Sequence, residues 1–200
     1  TASLDVDLQS GTIIVDLPAP LPALDPISIE NFDNVIGSDN EDTIAGNSNS
    51  NILSGRGGDD VITGAGGSDF ITGDIGDDVL FGNNGDDELI GGNGSDFIDG
   101  GKNRDRLIGV GAELGANDVD QLTGGTQRDT FVLGNSAAVF YEGIGFAQIL
   151  DFETGIDTIE LNGTADDYTF GTFNRSISLN GDLIATTNPP FNINTDLNFV

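Results

Sequence analysis

The sequence predicts an all-β chain: a right-handed parallel β-solenoid of two facing sheets, closed by a C-terminal antiparallel β cap. Three observations predict it. A nine-residue frame holds from Ser28 to Ile108 and resumes over 115–132, after a six-residue insertion, "GVGAEL" (109–114). The eighth position of each repeat is apolar: Val35, Ile44, Leu53, Ile62, Ile71, Leu80, Leu89, Ile98, Leu107, Leu122 and Phe131. The sixth position is aspartate in all repeats but one, which carries Asn51, and the first is glycine in all but the opening one, which carries Ser28. Three residues such as Val61-Ile62-Thr63 make a very short strand whose middle side chain points one way and whose neighbours point the other. The six residues before it make a turn. If each turn reverses the chain, two repeats make one coil of 18 residues, and successive coils stack as two parallel sheets about 4.8 Å per rung apart.

Each segment reads in order. Residues 1–27 form an N-terminal strand and linker segment. "LDVDLQSGTIIVDL" alternates as strand, turn, strand. "PAPLPALDP" holds Pro18, Pro20, Pro22 and Pro26 and reads as an extended connector. Residues 28–132 are the repeats. Their fourth positions are mostly Gly or Asn (Asn40, Asn49, Gly58, Gly67, Gly76, Gly85, Gly94, Asn103), which tolerate positive φ. Residues 133–200 read as the β cap: "FAQILDFETGIDTIELNG" alternates, and "LNGT" (161–164) and "LNGD" (179–182) each signal a hairpin. No amphipathic helix is expected.

Composition narrows the chemistry. The chain has 34 acidic and 6 basic side chains, a formal net charge of -28. It should repel nucleic acid and anionic membranes and attract cations. Cysteine, histidine, methionine and tryptophan are absent, which removes disulfides, Cys/His zinc sites and every histidine-based triad. No run of about 18 apolar residues is present to form a transmembrane segment. No metalloprotease HExxH or hydrolase GxSxG motif occurs, and the aspartates repeat with no pair singled out, so no enzyme and no catalytic residue is expected.

Stacked coils also stack their aspartates, Asp60 over Asp78 and Asp78 over Asp96. Two carboxylates about 5 Å apart repel by roughly 1 kcal/mol in water and several-fold more in a drier site. A hard divalent cation between rungs reverses that sign. Carboxylates and loop carbonyls give oxygen-only ligands, which suit Ca²⁺ better than Mg²⁺ or Zn²⁺.

The nonapeptide resembles the RTX (hemolysin-type calcium-binding) repeat, G-G-x-G-x-D-x-U-x, met almost fully at "GGNGSDFID" (91–99). The resemblance covers about residues 28–132 and, less specifically, "ILDFETGIDTIELNG" (149–163). It implies a parallel β-roll in which each Ca²⁺ lies between loops two repeats apart. One loop then gives its second and fourth carbonyls and its aspartate, and the other gives its first and third carbonyls and its aspartate. Carried over, one site takes Arg56, Gly58, Asp60, Gly73, Ile75 and Asp78. A second takes Ala65, Gly67, Asp69, Gly82, Asn84 and Asp87. A third takes Asp74, Gly76, Asp78, Gly91, Asn93 and Asp96. A fourth takes Asn83, Gly85, Asp87, Gly100, Lys102 and Asp105. A further site, lacking glycine at two loop positions, takes Ser38, Asn40, Asp42, Gly55, Gly57 and Asp60. Asp120 and Asp129 extend the two rows, the first across the insertion and the second in a loop with the bulky sequence "GTQRD". About four to eight calcium ions are expected.

The resemblance also implies a protein secreted by the type I route, with an uncleaved C-terminal signal; "NINTDLNFV" is compatible with that. Three roles are open: a cell-surface or matrix protein of adhesin type, the secretion and folding module of a larger enzyme or toxin, and a carbohydrate-binding module. The outward apolar positions are Val61, Val79, Phe81 and Phe97 on one sheet and Ile52, Phe70, Ile90, Ile108 and Val132 on the other. They serve self-association or a cell-surface or glycan partner, or are covered by the N- and C-terminal segments. Glu88 and Arg106 should be neighbours on adjacent rungs.

Overall fold

The computed structural model describes residues 3–7, 12–16, 28–29, 34–110, 118–135, 138–139, 141, 145–171 and 175–200. The proline connector at 18–26 and most of the insertion lie outside these residues. The first strands are β1 (Ser3–Asp7), β2 (Thr12–Asp16), β3 (Ser28–Ile29), β4 (Asn34–Ile36) and β5 (Thr43–Ala45). The repeats then give β6 (Ile52–Gly57), β7 (Val61–Gly66), β8 (Phe70–Ile75), β9 (Val79–Asn84), β10 (Glu88–Asn93), β11 (Phe97–Lys102), β12 (Arg106–Val110), β13 (Val119–Thr126) and β14 (Thr130–Val132). A small antiparallel pair, β15 (Gly134–Asn135) and β16 (Ala138–Val139), follows. Last come β17 (Phe146–Ile149), β18 (Thr158–Leu161), β19 (Tyr168–Phe170), β20 (Ser176–Leu179), β21 (Asp182–Thr187) and β22 (Leu197–Phe199). One 3₁₀ turn, Ala165–Asp167, is the sole helical element among the described residues, so none is long and apolar enough to cross a membrane.

Even and odd repeats separate into two ten-stranded sheets. One runs β1-β2-β4-β6-β8-β10-β12-β14-β18-β22, and the other β19-β20-β21-β17-β13-β11-β9-β7-β5-β3. Their repeat strands pair in parallel with an offset of 18 residues, Leu53 opposite Ile71 and Ile62 opposite Leu80. Every eighth-position side chain is buried, at 0–1% exposure, between the sheets. Each such burial contributes about 1.5–3 kcal/mol. This is the parallel β-roll that the spacing predicts.

The parallel stacking continues past the nonapeptides. Ile159 lies opposite Phe131, and Leu197 opposite Ile159, in the first sheet. Ile149 lies opposite Leu122, and Thr187 opposite Ile149, in the second. The antiparallel parts of the C-terminal region are the pair β15–β16 and the meander β19-β20-β21. The strand–turn–strand reading of the N-terminus corresponds to the antiparallel pair β1–β2, with β2 parallel to β4. The offset of 18 begins with Val35 opposite Leu53; before it Ile29 lies opposite Ile44, fifteen residues on, and Ile13 opposite Val35, twenty-two residues on.

Of the two Asn-Gly hairpin signals, one forms. Leu179 pairs with Asp182, and Asn180 (φ 53°) and Gly181 (φ 96°) both have positive φ, as a type I′ turn requires. At 161–164 only Gly163 has positive φ (87°), so the chain is not turned back on itself. Instead the Gly163 amide donates to the Val200 carbonyl at 3.0 Å, and the segment leads through the 3₁₀ turn to β19 in the other sheet.

Candidate metal site

Each loop is curled by alternating backbone. The fourth positions Gly58, Gly67, Gly76, Gly85, Gly94 and Asn103 have φ between 85° and 150°, as their composition predicts, whereas Asn40 and Asn49 do not take positive φ. The second positions have it too: Arg56 and Ala65 (79°), Asp74 (75°) and Asn83 (72°). Sequence reasoning missed this, because the second position carries no consistent residue type. Successive loops are bonded edge to edge. The amides of Gly58, Gly76 and Gly85 donate to the third-position carbonyls of Ile75, Asn93 and Lys102, and the Gly57 amide donates to the Ser38 carbonyl. A side chain on Gly85 would run into the Gly67 carbonyl of the coil below.

The sixth-position carboxylates form two ladders. Asp42 donates its amide to Oδ1 of Asp60 at 2.7 Å, Asp60 to Asp78 at 2.8 Å, and Asp78 to Asp96 at 2.9 Å. On the opposite edge Asn51 donates to Asp69, Asp69 to Asp87, and Asp87 to Asp105, at 2.8–2.9 Å. The insertion does not break the register. Asp96 donates to Asp120, and Asp105 to Asp129, both at 2.9 Å. Gly109 takes the first position of the loop that ends in Asp120, so the extra residues sit within that loop rather than before it.

One carboxylate oxygen is thus held by the neighbouring coil. The other points inward. Oδ2 of Asp60, Asp69, Asp78, Asp87, Asp96, Asp105 and Asp129 is buried with no hydrogen-bond partner. It faces a small slot. A Cβ placed on Gly55 would collide with both Asp60 Oδ2 and the Gly73 carbonyl. The same holds for Gly73 with Asp78 and Gly91 and for Gly82 with Asp87 and Gly100, and a Cβ on Gly64 would collide with Asp69 Oδ2 and lie tight against the Gly82 carbonyl. First-position glycine therefore keeps open a space walled by a carboxylate oxygen and the next coil's carbonyl.

Burial is the main force on these acids. It pushes Asp60, Asp96 and Asp105 up to about 8, Asp129 to about 7, and Asp69 and Asp78 to about 6, from 3.8. The donated amides pull the values down, and neighbouring carboxylates push them up further. A buried carboxylate oxygen without a donor is unfavourable unless a cation meets it. Among the described residues no three acidic side chains converge as a metal cluster, so any cation here relies on carboxylates plus peptide carbonyls. That donor set is all oxygen, which suits a hard ion of flexible coordination. The slots fit calcium.

The remaining expected residues lie as follows. Asp42 differs from the central acids: its Oδ2 accepts from the amide and hydroxyl of Ser38, at 2.6 and 3.0 Å. The exposed Asn40 donates its amide to Ser38 Oγ at 3.2 Å. Asn51 keeps its ladder bond, and its side-chain oxygen accepts from the Asn47 amide at 2.8 Å. Lys102 Nζ reaches Asn84 Oδ1 at 3.2 Å on the exposed side, and Arg104 pairs with Asp86 at 2.6 Å, so neither basic group enters a slot. Asn84 donates its side-chain amide to the Ala65 carbonyl at 3.2 Å. Arg106 meets Glu88 at 3.5 Å, as expected, and also grips Glu160 with two bonds of 3.1 and 3.2 Å.

Three features escaped the sequence reading. Fifth-position side chains form an outer ladder, with Asp59 accepting the Asp77 amide at 2.9 Å and Asp77 that of Ser95 at 2.8 Å. Its signal was the repeated Asp-Asp dipeptide. Asp157 accepts the Asp129 amide at 2.9 Å and carries the second row one coil further; the signal was an aspartate two places before Ile159. Asp151 clamps the amides of Gly124 and Gly125 at 2.9 and 2.8 Å, and nothing in the spacing marked it.

The family model of the RTX calcium-binding nonapeptide repeat (4 copies) matches residues 36–71 and again residues 72–107. No curated protein matches the chain. Among solved structures, the crystal structure of extracellular lipase LipA from Serratia marcescens is similar over 92% of this chain, at 16% identity and a TM-score of 0.24. This chain spans 42% of the length of that lipase. Residues 36–107 are RTX calcium-binding nonapeptide repeats, wound as a parallel β-roll.

Proposed function

We propose that the chain is an extracellular calcium-binding β-roll whose fold is set by Ca²⁺ after secretion, with a structural rather than a catalytic role. The observation that carries this is the set of seven buried carboxylate oxygens with no partner, each facing a glycine-lined slot. Bound Ca²⁺ supplies positive charge and six to eight flexible oxygen contacts. The central ligand sets are those expected from the repeat: Arg56, Gly58, Asp60, Gly73, Ile75 and Asp78, and the three sets displaced from it by one, two and three repeats. Each carboxylate is already oriented by the amide of the coil before it, so the chain presents its ligands in register once coils stack.

Without a cation, a net charge of -28 and 30 glycines oppose compaction. Binding and folding are then one event. Weak individual sites of the 10⁻⁴–10⁻³ M extracellular kind suffice, because stacked coils couple them. At the cell surface or in a matrix the product is a rod bearing exposed apolar side chains, Ile52, Val61 and Phe70 among them, suited to lateral contact.

The test is far-UV circular dichroism during a Ca²⁺ titration of chelator-treated protein at about pH 8.5, where the buried acids are ionised. The β signal is expected to be lost in chelator and to return cooperatively between about 10⁻⁴ and 10⁻³ M Ca²⁺, with Mg²⁺ ineffective over the same range. A β spectrum that persists unchanged in excess chelator overturns the proposal.

A further inference from the structure

We infer that the hydroxyl of Tyr141 takes, in the Asp120 slot, the place that a cation takes in the equivalent slots, and so ends that row of ions with a protein group. The inference rests on the calcium reading above. Tyr141 is fully buried, and its hydroxyl donates to Asp120 Oδ2 at 2.5 Å. The slot is built like its neighbours. A Cβ on Gly91 would collide with Asp96 Oδ2 and the Gly109 carbonyl; a Cβ on Gly109 would collide with Asp120 Oδ2 and the Tyr141 hydroxyl. Asp120 is accordingly absent from the unpartnered carboxylates, although Asp96 before it is present. The phenol ring joins the apolar core, so one side chain supplies both a donor for the carboxylate and bulk that keeps an ion out.

The other row ends are closed as well, each by a group of its own loop. At the start of the same row, Ser38 gives Asp42 Oδ2 two donors. In the second row the oxygen of Asn51 accepts from the Asn47 amide, and Asp157 Oδ2 accepts from the Glu153 amide at 2.7 Å. Between these stops lie three open oxygens in one row (Asp60, Asp78, Asp96) and four in the other (Asp69, Asp87, Asp105, Asp129). The described residues therefore leave seven open slots. Tyr141 also lets β17 stack on β13 with no ion between their loops.

The experiment is calcium stoichiometry by equilibrium dialysis and metal analysis on the full chain, wild type beside Tyr141→Ala. The expected result is one more ion in the variant, whose Asp120 slot is opened, than in the wild type. An unchanged or lower count in a folded variant overturns the inference, because Tyr141 would then be only a support. Should the variant fail to regain its β spectrum in Ca²⁺, Tyr141→Phe, which keeps the ring and removes the hydroxyl, is counted beside the wild type: one more ion keeps the inference, and an equal count overturns it. No calcium uptake by the wild type sinks the calcium reading itself, a result distinct from either count.

Discussion

At the second loop position the backbone asks for a conformation that L side chains disfavour, and Ala65 supplies it without a compensating polar side chain. Ala65 sits at φ 79°, a region that costs an L-residue about 1–2 kcal/mol. Gly92 and Gly101 show that glycine serves at the same place. Ala65→Gly is therefore expected to stabilise the calcium-loaded protein by about 0.5–1 kcal/mol, after the extra chain entropy of glycine is subtracted. Urea unfolding in saturating Ca²⁺ measures it, and a loss of stability contradicts the strain. This constraint was not legible in the sequence. The fourth position advertises itself with Gly and Asn, whereas the second holds Arg56, Ala65, Asp74 and Asn83 and is bent by the bonds of neighbouring coils. The sixth-position aspartates, by contrast, were legible one by one. Their period is fixed by the stacking that gives each a single amide to bind.

At the level of the rung, the short strands are held by what lies between the sheets and very little by what lies outside them. Ile71 is fully buried and Ile52 is 55% exposed on the adjacent rung of the same sheet. Ile71→Ala is expected to lower stability by about 2–5 kcal/mol, and Ile52→Ala to stay within about 0.5 kcal/mol. Thermal melts of the two variants in Ca²⁺ check the contrast; equal losses would place the core elsewhere. The rungs of the repeats were readable because each loop has the same length. Those after Val132 were not, because loop lengths change. Asp129 reaches Asp157 across 28 residues, and Ile149 reaches Thr187 across 38. An Asn-Gly pair was likewise ambiguous, since 180–181 and 162–163 differ only in whether Asn adopts positive φ, and the packing of each turn decides that.

For the molecule as a whole, the buried acids fix how stability responds to pH when calcium is removed. Their folded values lie at about 6–8, above the ordinary 3.8, so the cation-free fold binds protons that the unfolded chain releases. Its stability is fully present below about pH 4 and is lost as the pH rises through about 6 to 8. In chelator, the β signal is expected to be larger at pH 5 than at pH 8.5; a signal that grows with pH would contradict the burial of these groups. The two termini of the stack carry a separate consequence. A column of parallel rungs is a template for its own extension, since its last strand shows the next chain a ready edge. Here one sheet meets that hazard with the reversed strand β1 at one end, the other sheet ends at the opposite side in the meander β21-β20-β19, whose middle strand is reversed, and the outer strands β19, β3 and β22 are only three, two and three residues long. Among the described residues the ends of the stack thus offer another copy little parallel edge on which to add a rung.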